Sequence, residues 1–153
     1  MAKPDFVIEL DFAVAPDRLF AQFATDAGVR HWWTNACAME NKVGGTAQFH
    51  FEEDGFTPLM KITRLEPDRC VEWKVINARH PDKFGYKNQH DWEGTRIRFE
   101  IVPVADGHSR LTFTHEKLMG VESGEFCSTA WHHFLGVSLR EYFELGKGRP
   151  AGV

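Results

Sequence analysis

From Cys127 to Tyr142 the residues Cys127, Trp131, Phe134, Leu135, Ser138 and Tyr142 fall at steps of three and four. That spacing places them on one face of a helix. Leu139 and Phe143 widen the stripe, so the pattern predicts one long helix from about Glu122 to Leu145, stopped by Gly146. A helix with so broad an apolar face needs a partner surface. The segments ahead of it repeat with a different period. Ala47, Phe49 and Phe51 alternate with polar residues, and so do Val71, Trp73 and Val75. Ile97, Phe99 and Ile101 share a phase, as do Leu111, Phe113 and His115. Period two is the mark of a strand with one buried face.

The strands expected on this basis cover Phe6–Phe12, Thr46–Phe51, Phe56–Leu65, Cys70–Ile76, Trp92–Val102 and Arg110–Glu116. Turns separate them at Gly44-Gly45, Asp54-Gly55, Glu66–Arg69 and Ala105–His108. Pro58 inside its strand points to an edge or a bulge. After the first strand, Pro16 opens a short helix carrying Leu19, Phe20 and Phe23, and Thr25-Asp26 caps a second that runs to about Trp32. The polar stretch from Asn77 to Gln89, with Pro81 and Gly85, is the longest loop and a natural mouth or lid. The tail from Gly148 to Val153 reads as frayed. The fold class is therefore α+β: a curved antiparallel sheet of about seven strands around a long C-terminal helix, with two short helices after strand 1.

The chain of 153 residues is expected to form a single domain, residues 1–153, large enough for one substantial core. It contains 13 Phe and 5 Trp, too aromatic for a disordered chain. A net charge of -4 with scattered basic residues argues against nucleic acid as a partner. No apolar run is long enough to span a membrane, and the N-terminus lacks a secretion signal. Cys37, Cys70 and Cys127 are widely spaced and form no CxxC pair, which suggests reduced thiols and a cytoplasmic location.

Trp32-Trp33-Thr34, Val43-Gly44-Gly45, Leu65-Glu66-Pro67-x-x-Cys70-Val71-x-Trp73, Leu111-Thr112-Phe113-Thr114-His115-Glu116 and the Trp131 helix stand in a fixed order. In that order and spacing, from about Asp5 to Gly148, the chain resembles the Aha1-type (activator of Hsp90 ATPase homolog 1-like) branch of the START-like, or SRPBCC, helix-grip superfamily. The resemblance implies a helix-grip fold with a deep, mostly apolar cavity between sheet and long helix. It does not specify a substrate, because fold alone sets only a loose prior on activity.

Such a cavity would be lined by inward strand residues and one helix face. The candidates are Trp33, Phe49, Phe51, Trp73, Trp92, Phe99, Phe113, His115, Trp131, Phe134, Leu135 and Ser138. Apolar walls with a few convergent polar groups describe ligand sites in general. Of the two adjacent tryptophans, one is expected to close the core beneath the short helices and the other to border the cavity. His115 is the polar candidate, and its replacement by alanine is expected to alter ligand binding more than stability.

Other chemistries find little support. No HxxxH or HExxH spacing and no Cys/His cluster occurs, and His132 and His133 point about 100° apart on a helix, so neither a metal nor a cofactor is expected. There is no GxSxG elbow, and Cys127 is expected to be buried and quiet. Asp82, Lys83, Tyr86, Lys87, Glu72, Asp91 and Glu93 read as a solvated polar face, with Glu72 turned outward by the alternation of Val71 and Trp73.

The leading expectation is a binding domain for a hydrophobic or amphipathic small molecule. An alternative is an enzyme of cyclase, dehydratase or hydrolase type acting on an aromatic or polyketide-like ligand in the same cavity. A second alternative is a chaperone-associated interaction domain. The resemblance implies that Hsp90-binding relatives carry an additional domain, so an Hsp90-like partner is not expected, while a homodimer stays open.

Overall fold

The computed structural model describes residues 4–51 and 55–152. Seven strands form one sheet: β1 (Phe6–Phe12), β2 (Cys37–Met39), β3 (Thr46–Phe49), β4 (Leu59–Glu66), β5 (Cys70–Asn77), β6 (Arg96–Ala105) and β7 (His108–His115). Their order across the sheet is β1-β7-β6-β5-β4-β3-β2, and every pairing is antiparallel. From β2 to β7 the strands that pair are neighbours in sequence, joined by short connections except for the long loop between β5 and β6. Only β1 crosses over, pairing with β7 from Phe6 opposite His115 to Phe12 opposite Ser109.

Two short helices follow β1. In α1 (Pro16–Ala24) the proline stands in the first turn and Leu19 and Phe23 are buried. In α2 (Asp26–Val29) the Thr25 hydroxyl accepts from the Gly28 N–H at 2.9 Å, the cap the sequence calls for. Gly28 lies so close to α1 that an added Cβ would stand 2.0 Å from the Ala21 carbonyl oxygen, so this contact requires glycine.

The closing helix is continuous but not uniform. It runs as α3 (Gly124–His133), a π-helical segment over Phe134–Leu139, and α4 (Arg140–Leu145), and Gly146 ends it at φ +79°. Trp131, Leu135 and Leu139 are all buried, four residues apart. A π segment, with hydrogen bonds spanning five residues, keeps such a four-residue stripe in line where an α-helix would let it drift.

The sheet curves over this helix, and one core fills most of the space between them. Phe23, Trp32, Phe49, Trp73, Phe99, Phe113, Leu135 and Leu139 are fully buried there. Phe23 stacks on Phe99 at 4.1 Å, and Trp73 meets Phe99 edge-on at 4.9 Å.

Several boundaries differ from the sequence reading. The strand expected from Trp92 begins only at Arg96, because reverse turns occupy residues 90–95: Glu93 N–H bonds the His90 carbonyl and Thr95 N–H bonds the Trp92 carbonyl, both at 3.0 Å. The strand expected from Phe56 begins at Leu59, just after Pro58, whose missing N–H therefore stays off the ladder. Strand β2 has three residues, too few to show alternation. Asp54, half of the turn expected at Asp54-Gly55, lies outside the described residues. The tail is docked rather than frayed up to Gly152. Ala151 donates to the Trp33 carbonyl at 2.9 Å and accepts from the Asn35 N–H at 3.2 Å, forming a short parallel bridge beside Thr34. Two polar residues expected in solvent are buried, Glu72 and Asp91. Glu72 does sit on the outer face of the sheet, but Thr63, Arg96 and Arg98 cover it and bond its carboxylate.

Candidate functional site

One end of the hollow is not filled. A cleft of about 400 Å³ opens there between α3, the first turn of the π segment, the loop ahead of β6 and the Phe51–Phe56 bridge. Trp33, Phe51, Phe56, Trp92 and Trp131 form its buried walls. Trp33 stacks on Trp131 at 5.0 Å, and Trp131 lies nearly parallel to Trp92 at 6.2 Å. Phe126, Thr129 and His133 are exposed at the mouth. Phe84, from the long loop, reaches across to Phe126 at 5.4 Å. Glu122 ties that loop to the helix entry by accepting from the backbone N–H groups of Lys87 and Asn88 at 3.0 and 2.6 Å.

Of the residues singled out from sequence, Trp33, Phe51, Trp92, Trp131 and Phe134 line this cleft. Phe49, Trp73, Phe99, Phe113, His115, Leu135 and Ser138 stand elsewhere, for reasons of packing. Phe49, Trp73, Phe99, Phe113 and Leu135 belong to the filled part of the hollow. Ser138 is a structural link: its hydroxyl donates to the Trp32 carbonyl and accepts from the Arg149 N–H, both at 2.7 Å.

His115 lies one layer behind the wall. Trp92 meets its ring edge-on at 4.7 Å, and the Trp131 indole N–H donates to its Nδ1 at 3.2 Å. Its Nε2 meets the Thr95 hydroxyl at 2.9 Å, and that hydroxyl donates in turn to the Trp92 carbonyl at 2.6 Å. Nδ1 is therefore the acceptor and Nε2 carries the proton. Burial pushes its pKa down to about 3, so the ring is neutral.

The polar feature that sequence reasoning missed is His80. It is buried, lines the cleft, and stacks face to face on Phe56 at 4.6 Å and 2°. Its Nε2 is 3.0 Å from Asp91 Oδ1. Ser123 completes the arrangement, donating its N–H to Oδ2 at 2.9 Å and its hydroxyl to Oδ1 at 3.0 Å. Burial would raise the Asp91 carboxyl, but the bonds from His80 and Ser123 outweigh it and hold the group below the usual carboxylate range. His80 sits in a polar loop with no periodicity; Asp91 lies 11 residues further along the chain, and Ser123 lies 32 residues beyond Asp91. Nothing local marks it.

Phe56, Phe84, Phe126, Cys127, Thr129, Ala130, His133 and Ala151 also line the cleft without having been singled out for it. Burial pushes the Cys127 thiol up to about 11, which leaves it un-ionised and weakly nucleophilic. The Trp92 indole N–H is buried without a hydrogen-bond partner of good geometry. Among the described residues, no group of three His, Cys, Asp or Glu side chains is arranged to hold a metal ion, and no helix is long and apolar enough to cross a membrane.

A curved antiparallel sheet closed over a C-terminal helix, with a cleft left at one end, defines the helix-grip class of α+β proteins. The model of the family described as activator of Hsp90 ATPase homolog 1-like protein matches residues 13–144, and the chain belongs to that family. A solution structure of an Aha1 dimer from Colwellia psychrerythraea is 29% identical, with a TM-score of 0.76 over 94% of this chain and 98% of that one. An Hsp90 activator from Plasmodium falciparum is 20% identical, with a TM-score of 0.64 over 94% of this chain and 97% of that one. A protein of the dynemicin biosynthetic locus is 14% identical, with a TM-score of 0.69 over 94% of this chain and 48% of that one. The last two likenesses show the fold alone. No curated protein matches the chain.

Proposed function

We propose that this chain binds a hydrophobic or amphipathic small molecule in the cleft between the sheet and the C-terminal helix. The observation that carries this reading is the cleft itself: about 400 Å³ of space, walled largely by aromatic rings, beside the packed core. That volume falls toward the lower end of the range for small-molecule sites, which suits a compact ligand. The three free cysteines fit a reducing, cytoplasmic setting. Native mass spectrometry of freshly purified protein, with a thermal-shift panel of hydrophobic compounds, tests the reading. A retained or stabilising ligand is expected, and blanks from both measurements overturn it.

A second reading, catalysis in the same cleft, draws on the pairing of His80 with Asp91, an arrangement that orients an imidazole for proton transfer. Recovery of a bound compound in chemically altered form separates catalysis from carriage. By likeness to the Colwellia psychrerythraea dimer, we also propose that the chain forms a homodimer. Light scattering is expected to give twice the chain mass, and a monomer at all accessible concentrations removes that proposal.

A further inference from the structure

His80 is a buried imidazole in a largely aromatic wall, and its bonds leave one ring nitrogen without a protein partner. Its Nε2–H is given to Asp91, whose carboxylate is pinned by two bonds from Ser123. The ring is held by a parallel stack on Phe56 and by edge contacts with Tyr86 at 5.1 Å and Trp92 at 6.1 Å. A neutral imidazole that donates through Nε2 presents Nδ1 as an acceptor. Among the described residues nothing donates to that nitrogen, although every bond to Nε2 and Asp91 is in place. That nitrogen is not one of the fully buried unpartnered polar atoms, so it keeps some accessible surface on a side chain that lines the cleft, where a ligand can supply the donor. The rest of the wall, Phe51, Phe56, Trp92 and Trp131, offers ring faces to a flat apolar body.

We propose that His80 Nδ1 accepts a hydrogen bond from the hydroxyl of an aromatic ligand, so that the cleft selects phenol- or naphthol-like molecules over their ethers and hydrocarbons. Asp91 and Ser123 act as positioning residues: they fix the tautomer and the ring plane rather than touch the ligand. The proposal rests on the binding reading above and narrows it to a chemical class.

The matched probes are 2-naphthol and 2-methoxynaphthalene, which share an aromatic body and differ in the donor. Calorimetric titration of the wild-type protein is expected to favour 2-naphthol by about fivefold, the scale of one hydrogen bond. His80→Phe keeps an aromatic ring beside Phe56 and is expected to bind both probes equally. If that variant does not fold, side-chain ¹⁵N spectra of the wild type decide the matter, with the His80 Nδ1 resonance expected to move on addition of 2-naphthol and to stay in place with the ether. Equal affinities in the wild type, or an Nδ1 resonance indifferent to the hydroxyl, overturn the assignment of His80 while leaving the cleft a binding site. Failure of both probes to bind also overturns it, and only blanks across the whole hydrophobic panel bring down the binding reading as well.

Discussion

Two buried histidines, thirty-odd residues apart in chain order and separated in space by Trp92, divide structure from recognition at the scale of the single residue. His115 has both ring nitrogens occupied by protein partners, while His80 has one. His115→Ala is therefore expected to cost about 3 kcal/mol of stability, from the void it leaves and from the Trp131 N–H it orphans, with little effect on affinity. Chemical denaturation read beside ligand titration checks this, and it reverses the order expected from sequence. A pH dependence follows from the same side chain. An unfolded histidine titrates near 6.5, whereas the folded one titrates at about 3. Between those values the unfolded chain holds a proton that the folded chain does not, so stability falls as pH drops through that window. His115→Gln is expected to flatten this slope, by up to about 1.4 kcal/mol per pH unit, in melting temperatures measured from pH 7 to 4. Alternation made it legible in the sequence that His115 points inward. What it meets there was not legible, because Thr95 and Trp131 reach it from a turn and from a helix far along the chain.

At the scale of the element, strands with clean alternation and helices with caps were readable, since both signals are local. The short β2, the late start of β6 and the docking of the tail were not, because each is decided by contacts across the molecule. The tail shows the cause most plainly. Gly148 packs against the backbone so tightly that an added Cβ would lie 2.2 Å from the His31 carbonyl oxygen and 2.8 Å from that of Ser138. Gly148→Ala is expected to lift the tail. Hydrogen exchange should then show lost protection at the Ala151 and Arg149 amides, with the main sheet unaffected. Ser138→Ala leaves the Trp32 carbonyl and the Arg149 N–H without their shared partner and is expected to cost about 1–3 kcal/mol on denaturation. The π segment is likewise invisible to a reading in steps of three and four, since the substituted period preserves the same apolar residues on the buried side.

For the molecule as a whole, the class of fold was legible because strand order and helix placement follow from short connections and one apolar helix face. The extent of the cleft was not. Inward-facing residues are equally aromatic along the whole hollow, and only three-dimensional packing decides that Phe49, Trp73 and Phe99 close one part while Phe56, Trp92 and Trp131 border an opening in another. Ala130→Trp, at a half-buried position on the cleft wall, is expected to abolish binding of the aromatic probes while the melting temperature stays within about 2 °C of wild type, as a change outside the main core should.

The uneven filling of the hollow also bears on how such a chain could be retuned. Because the core lies in the filled part and the mouth residues Phe126, Thr129 and His133 are exposed, exchanges at the mouth can accumulate with small penalties. One scaffold of this kind can therefore diversify its choice of guest by drift at a few exposed positions, without first acquiring a reserve of stability.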